Sequence, residues 1–295
     1  MRVHLTKDGG VADYRTFTWA RWRDGYQFEE RAIRPKVVYG GAPRIEQAKR
    51  LLLSLAATRA DPEVYHPLDD SPGISREFSA IKTPEDALRF ANRYGLLGLG
   101  YVPRMQLGHD MDEAEPIFYW LEEAQRLRHV YKLSDLCQSK DVRGLGKMIY
   151  WARGSVTVTF PHGIKRAVVH SGKNSQWLNV WERGDVFGPA KLFIAEEYNS
   201  KIDQMASPLL LLDSRSELKP HISPASLLGA MWLEFGEVAS GVRKQTVCEY
   251  CGLVMDVTNN RSHKRVHDNC SLRVRMARYR QAQKGVKQNG EKKTR

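Results

Sequence analysis

Residues 247–281 read VCEYCGLVMDVTNNRSHKRVHDNCSLRVRMARYRQ, and three of the chain's four cysteines, Cys248, Cys251 and Cys270, fall inside this stretch. Two residues separate Cys248 from Cys251, and fifteen more lead to His267, which opens a His-x2-Cys pair ending at Cys270. This is the ligand spacing of a closed zinc site. A Cys-x2-Cys pair on a tight turn delivers two thiolates from one knuckle, and Gly252 gives that turn its backbone freedom. His267 and Cys270 can reach the same ion from the first turn of a helix. His263, seven positions before Cys270, is the alternative fourth ligand. Four protein ligands complete a tetrahedron and leave no position for water, so the zinc is expected to be structural rather than catalytic.

Charge is concentrated in the same region. Of the formal net charge of +12 on 295 residues, +10 lies between Val242 and Arg295, where fourteen lysines and arginines face four acids. Such asymmetry points to a polyanionic partner, nucleic acid before membrane. On a helical wheel starting at Leu272, Leu272, Met276 and Tyr279 share a face expected to dock the helix. Arg273, Arg280 and Lys284 flank that seam on one side, and Arg275 and Arg278 on the other. Together with Arg261, Lys264 and Arg265 in the preceding loop, these are the candidate phosphate contacts. The alternative is a solvated basic face, which helix C-termini favour in any case.

Working outward, the rest of the chain reads as an α+β body, mainly helical, with a few antiparallel strands. Thr83-Pro84-Glu85-Asp86 is a helix start, because Thr83 caps, Pro84 suits the first position and the acids meet the positive end of the dipole; the helix should stop at Gly95. Further helices are expected over Pro43–Ala60, Asp112–Leu136, Val142–Ala152 and Asp185–Ile202. A last one, opened by Ser223-Pro224, should carry Leu227, Leu228, Met231, Phe235 and Val238 to Gly241. The acids of His109–Glu115 are read as compensation for the start of the helix that follows.

Alternation in Ser155–Phe160 predicts a strand paired with Arg166–His170, and Leu209–Leu212 with Glu217–Lys219 predicts a hairpin. Asp61–Gly73 reads as a loop and Arg2–Tyr39 as short strands and irregular chain. The expected division is a body over 1–222, a bracing helix with zinc module and basic helix over 223–283, and a disordered basic tail over 284–295. The apolar runs, such as Leu51–Ala57, are far too short to span a bilayer. Cysteines at metal spacing rather than in a disulfide framework, and a polar start MRVHLTKDGG, point to the cytoplasm.

The finger resembles the C-terminal zinc-ribbon-like finger of CGNR-type bacterial proteins. Cys248 and Cys251 stand at its knuckle, Asp256, Asn260 and Arg261 in its polar loop, and Cys270-Ser271-Leu272-Arg273 where that family has Cys-Gly-Asn-Arg. His267 replaces a cysteine. The resemblance covers about the last 60 residues and implies a DNA-binding transcription or stress regulator whose body senses a ligand or forms a homodimer. Two other readings stand beside it. One is a zinc module for protein interaction without nucleic acid. The other is a magnesium-dependent nuclease, in which Asp203 and Glu217 hold the ion and Lys219 orients water.

Overall fold

The computed structural model describes residues 17–32, 49–56, 62–99, 114–160, 164–170, 172–212, 218–252, 254–258, 265–267, 270–273 and 276. These form an α+β fold in which small antiparallel sheets surround a helical core. Strand β1 (Trp19–Arg21) pairs with β4 (Glu63–Tyr65), and β2 (Tyr26–Ala32), β3 (Lys49–Leu55) and β5 (Ala114–Pro116) form a three-stranded sheet with β3 in the middle. The helix expected over Pro43–Ala60 is therefore a strand where it is described. Its short run of leucines is buried on both faces, with Leu52, Leu53 and Ser54 all buried, and a continuous apolar run carries no period that separates strand from helix.

Asp61–Gly73 is more ordered than a loop. It contains β4 and the short helix α1 (Pro67–Asp70), and it leads directly into α2 (Ile74–Ser79). Helix α3 (Pro84–Tyr94) begins as the sequence predicts. The Thr83 hydroxyl accepts from Asp86 N at 3.2 Å, the Asp86 carboxylate accepts in turn from Thr83 N at 3.1 Å, and the helix ends at Gly95.

Helix α4 (Ile117–Gln138) is the hub, packing against α2, α3, α6 and α7. Ile117, Ala124, Leu127 and Tyr131 are buried with Leu121 partly so, and Trp120, Val130 and Leu133 extend burial round the helix, as its central place requires. Glu115 does not serve the helix dipole. It lies on β5 with no exposed surface and accepts from Leu97 N at 2.9 Å, Leu99 N at 2.7 Å and Trp120 Nε1 at 2.9 Å, so it anchors the segment after α3. Burial pushes its carboxyl up to about 7, against the pull of those donors.

The helix expected over Val142–Ala152 splits. Helix α5 (Val142–Gly146) ends in its glycines, and β6 (Ile149–Ala152) pairs with β7 (Ser155–Thr159), which pairs with β8 (Lys165–Val169). Val156 and Val158 of β7 point into the core while the alternate residues do not, which is the predicted alternation. Helix α6 (Phe187–Met205) leads into the hairpin of β9 (Ala206–Leu212) and β10 (Leu218–Pro224). Ser223 and Pro224 finish β10 instead of starting a helix. The cap of α7 (Leu227–Ser240) is Ser226, whose hydroxyl accepts from Gly229 N at 3.1 Å, and Gly241 closes the helix at φ +79°.

Two glycines let α6 and α7 touch. A methyl group on Gly229 would stand 2.6 Å from the Met205 carbonyl oxygen, and one on Gly236 would collide with the Tyr198 ring. Where α4 and α6 meet, buried Glu123 pairs with Lys201, and Glu197 pairs with Arg166. Among the described residues no helix is long and apolar enough to cross a membrane. The 284–295 tail lies outside them.

Candidate metal centre

The C-terminal module is built on a two-stranded hairpin, β11 (Gln245–Val247) and β12 (Val254–Asp256), with the cysteine knuckle at its tip. Gly252 takes φ +73° and its N–H bonds back to the Cys248 carbonyl at 2.9 Å, which folds Cys248 and Cys251 towards one point. The chain returns beside the knuckle, where Glu249 N donates to the Arg265 carbonyl at 2.9 Å. The N–H groups of Cys270 and Ser271 then close on the His267 carbonyl at 3.0 and 2.9 Å. That turn starts the helix at Cys270 and puts His267 and Cys270 on the same side.

The result is a cluster in which one ligand atom from each of Cys248, Cys251, His267 and Cys270 lies within 4.8 Å of the others. Ligands on a tetrahedral zinc with sulfur bonds of about 2.3 Å are about 3.8 Å apart, so the donors need to close in only slightly. His267 Nδ1 is 3.4 Å from the Cys251 sulfur, and Nε2 sits 3.3 Å from the Val254 carbonyl oxygen. A proton on Nε2 donated to that carbonyl leaves Nδ1 as the free donor towards the cluster, the arrangement of ligating histidines. Cys248 is 1% exposed and Cys251 faces solvent. Burial raises the Cys248 thiol, but N–H groups of Cys251, His267 and Tyr250 and the His267 side chain bring it down to about 6. Burial and the neighbouring thiols push Cys270 up to about 11. Three thiols and an imidazole converging in this way fit a metal ion that replaces their protons.

The module is latched to the body through residues that sequence reading passed over. Arg243, between α7 and β11, is 4% exposed and donates to Asp256 of β12 at 2.7 Å and to Glu234 of α7 at 3.0 Å. Glu234 has no exposed surface and also accepts from Gly73 N at 2.6 Å, Ser75 N at 2.9 Å, Ser75 Oγ at 2.5 Å and Gln245 Nε2 at 3.1 Å. Gly73 adopts φ +93°, and a methyl group there would stand 2.5 Å from Val254 of β12. One buried carboxylate thus joins the turn before α2, the last helix of the body and the root of the module. The available signal was a glutamate inside the otherwise apolar LLGAMWLEF run.

Of the candidate phosphate contacts, Arg265 pairs with Glu249 at 3.2 Å on the surface and Arg273 is exposed. Arg261, Lys264, Arg275, Arg278, Arg280 and Lys284 lie outside the described residues, as does His263. The expected apolar seam is not a docking face where it is described. Leu272 and Met276 are 64% and 52% exposed.

Of the nuclease set, Asp203 stands in the last turn of α6, Lys219 falls opposite Leu211 on β10, and Glu217 lies outside the described residues. Fold and site together define an α+β protein with a C-terminal Cys3His cluster able to hold a metal. Comparison of the chain with protein-family models, curated proteins and solved structures finds no match.

Proposed function

We propose that this is a zinc-containing nucleic-acid-binding protein, a DNA-binding regulator of the bacterial transcription or stress type. Cys248, Cys251, His267 and Cys270 hold a structural zinc, and the zinc fixes the loop and helix that carry Arg261, Lys264, Arg265, Arg273, Arg275, Arg278, Arg280 and Lys284 towards phosphates. The observation that carries this reading is the convergence of four ligand atoms within 4.8 Å at the root of the basic tail. The latch through Arg243 supports it, since a module held against the body transmits its orientation. The likeness of the finger to the CGNR type supplies duplex DNA as the expected polymer. Binding of the zinc-loaded chain to duplex DNA should weaken steeply with salt. Arg275 and Arg278 changed together to alanine should weaken it and flatten the slope by about two units. Salt-independent binding, or a slope unchanged in the double variant, rejects this surface.

A second reading, a zinc module for protein contact, is favoured by one observation. Val247, Tyr250, Leu272 and Met276 place apolar side chains 48–64% exposed on the module. In that case Leu272→Ser abolishes partner capture while the arginine pair is dispensable.

A further inference from the structure

Away from the metal cluster, an opening among the described residues lies between the C-terminal ends of α4 and α7, the middle of α6 and the β9–β10 hairpin. It is a cleft of about 1000 Å³, the upper end of the range for small-molecule sites. Its existence follows from the helix packing. Gly236 draws Tyr198 of α6 onto the backbone of α7, which brings the helices together on one side, and the β9–β10 hairpin that connects them forms a further wall.

The walls are chiefly apolar, formed by Ile194, Leu233, Ala239, Ile222 and Val242. Ile222 and Val242 are 42% and 65% exposed, so apolar surface continues out to the rim. Against these walls stand few polar groups. Glu237 lines the cleft with its carboxylate under-satisfied: Oε2 is buried and makes no hydrogen bond. The Arg243 guanidinium is 3.9 Å from that oxygen, but it directs hydrogen bonds to Glu234 and Asp256. Tyr198 also lines the cleft, its phenol raised by burial and by the charge of Glu237. Lys191 also lines the cleft, but it is exposed and solvated.

We propose that this cleft binds an apolar, ring-bearing organic cation whose ammonium group pairs with Glu237 and whose ring system lies against Ile194, Leu233 and Ala239. The carboxylate selects the charge, and the apolar walls supply the contact area. Lys191 at the solvent edge does not oppose it, because an exposed lysine is screened. The site belongs to the body and is independent of what the metal module contacts.

Three probes with a common ring separate the possibilities: 1-naphthylmethylamine (an ammonium ion at neutral pH), 1-naphthylmethanol and 1-naphthylacetate. Each is titrated calorimetrically into the zinc-loaded full chain. The amine should bind best and the acetate worst, with about tenfold between them. In Glu237→Gln, which keeps side-chain volume at a part-exposed position, the amine should fall to the level of the alcohol while the melting temperature is retained. Ala239→Trp, which fills the cleft, should abolish all three. The proposal is overturned if the acetate binds as well as the amine or better, since Lys191 would then set the charge. It is also overturned if Glu237→Gln leaves the order intact, or if none of the probes binds.

Discussion

The buried charge at the base of the module gives the sharpest test of how body and finger are joined. Arg243→Met keeps an unbranched apolar stem and removes the guanidinium. Glu234, which has no exposed surface, then loses a donor at 3.0 Å, and Asp256 loses one at 2.7 Å. Breaking a buried ion pair from one side costs about 3–5 kcal/mol. Glu234 keeps four neutral donors, from Gly73, Ser75 and Gln245, which places the cost at the low end, about 3 kcal/mol. For a chain of this size that corresponds to a melting temperature lower by about 6–9 °C. Urea denaturation with zinc present throughout measures it. A cycle with Glu234→Gln should show coupling above about 1.5 kcal/mol, because the two groups share one desolvated site. A loss below about 1 kcal/mol for Arg243→Met, the value of an exposed pair, would refute a buried latch.

Other outcomes follow from separate parts of the molecule. Gly236→Ala forces a methyl group into the Tyr198 ring and should destabilise by about 1–3 kcal/mol, with Tyr198→Ala in the same chain recovering part of the loss, as thermal melts would reveal. Thr83→Ala removes one half of the capping box and should lower stability by about 1 kcal/mol by the same measurement. Burial holds the His129 imidazole, stacked on Phe160, down to about 4. The unfolded chain therefore takes up a proton below about 6.5 that the folded chain refuses until about pH 4, and stability falls as pH drops through that window by up to about 3 kcal/mol. His129→Phe should flatten this acid limb. Glu115, raised to about 7, acts with the opposite sign: its stabilisation is complete below about 4.5 and is lost as pH rises through 7, a trend that Glu115→Gln should remove.

Sequence reading succeeded where local chemistry decides the outcome. The helix cap at Thr83, the alternation of Val156 and Val158, and the spacing of Cys248, Cys251, His267 and Cys270 all act within a few residues or through one knuckle. It failed where burial or long-range pairing decides. Leu51–Leu55 has no readable period because β3 is covered on both sides, and Ser223-Pro224 mimics a helix start while completing a strand paired with β9. Glu115 and Glu234 were hidden for a related reason. Their donors come from Leu97, Leu99, Gly73 and Arg243, so a glutamate inside an apolar run, as at Glu234, marks burial at most and does not announce which elements its partners arrive from. For the same reason the apolar stripe of Leu272 and Met276 suggested a docking face although nothing described covers it.

The C-terminal module is organised by its metal, and the coordination of that ion is the most direct measurement. X-ray absorption at the zinc edge on the purified chain should give one zinc per chain, with three sulfur neighbours at about 2.3 Å, one nitrogen at about 2.0 Å and no bound water. His267→Ala should exchange the nitrogen for oxygen. A chain that holds no stoichiometric zinc, or one whose zinc is surrounded mainly by oxygen, would contradict the account.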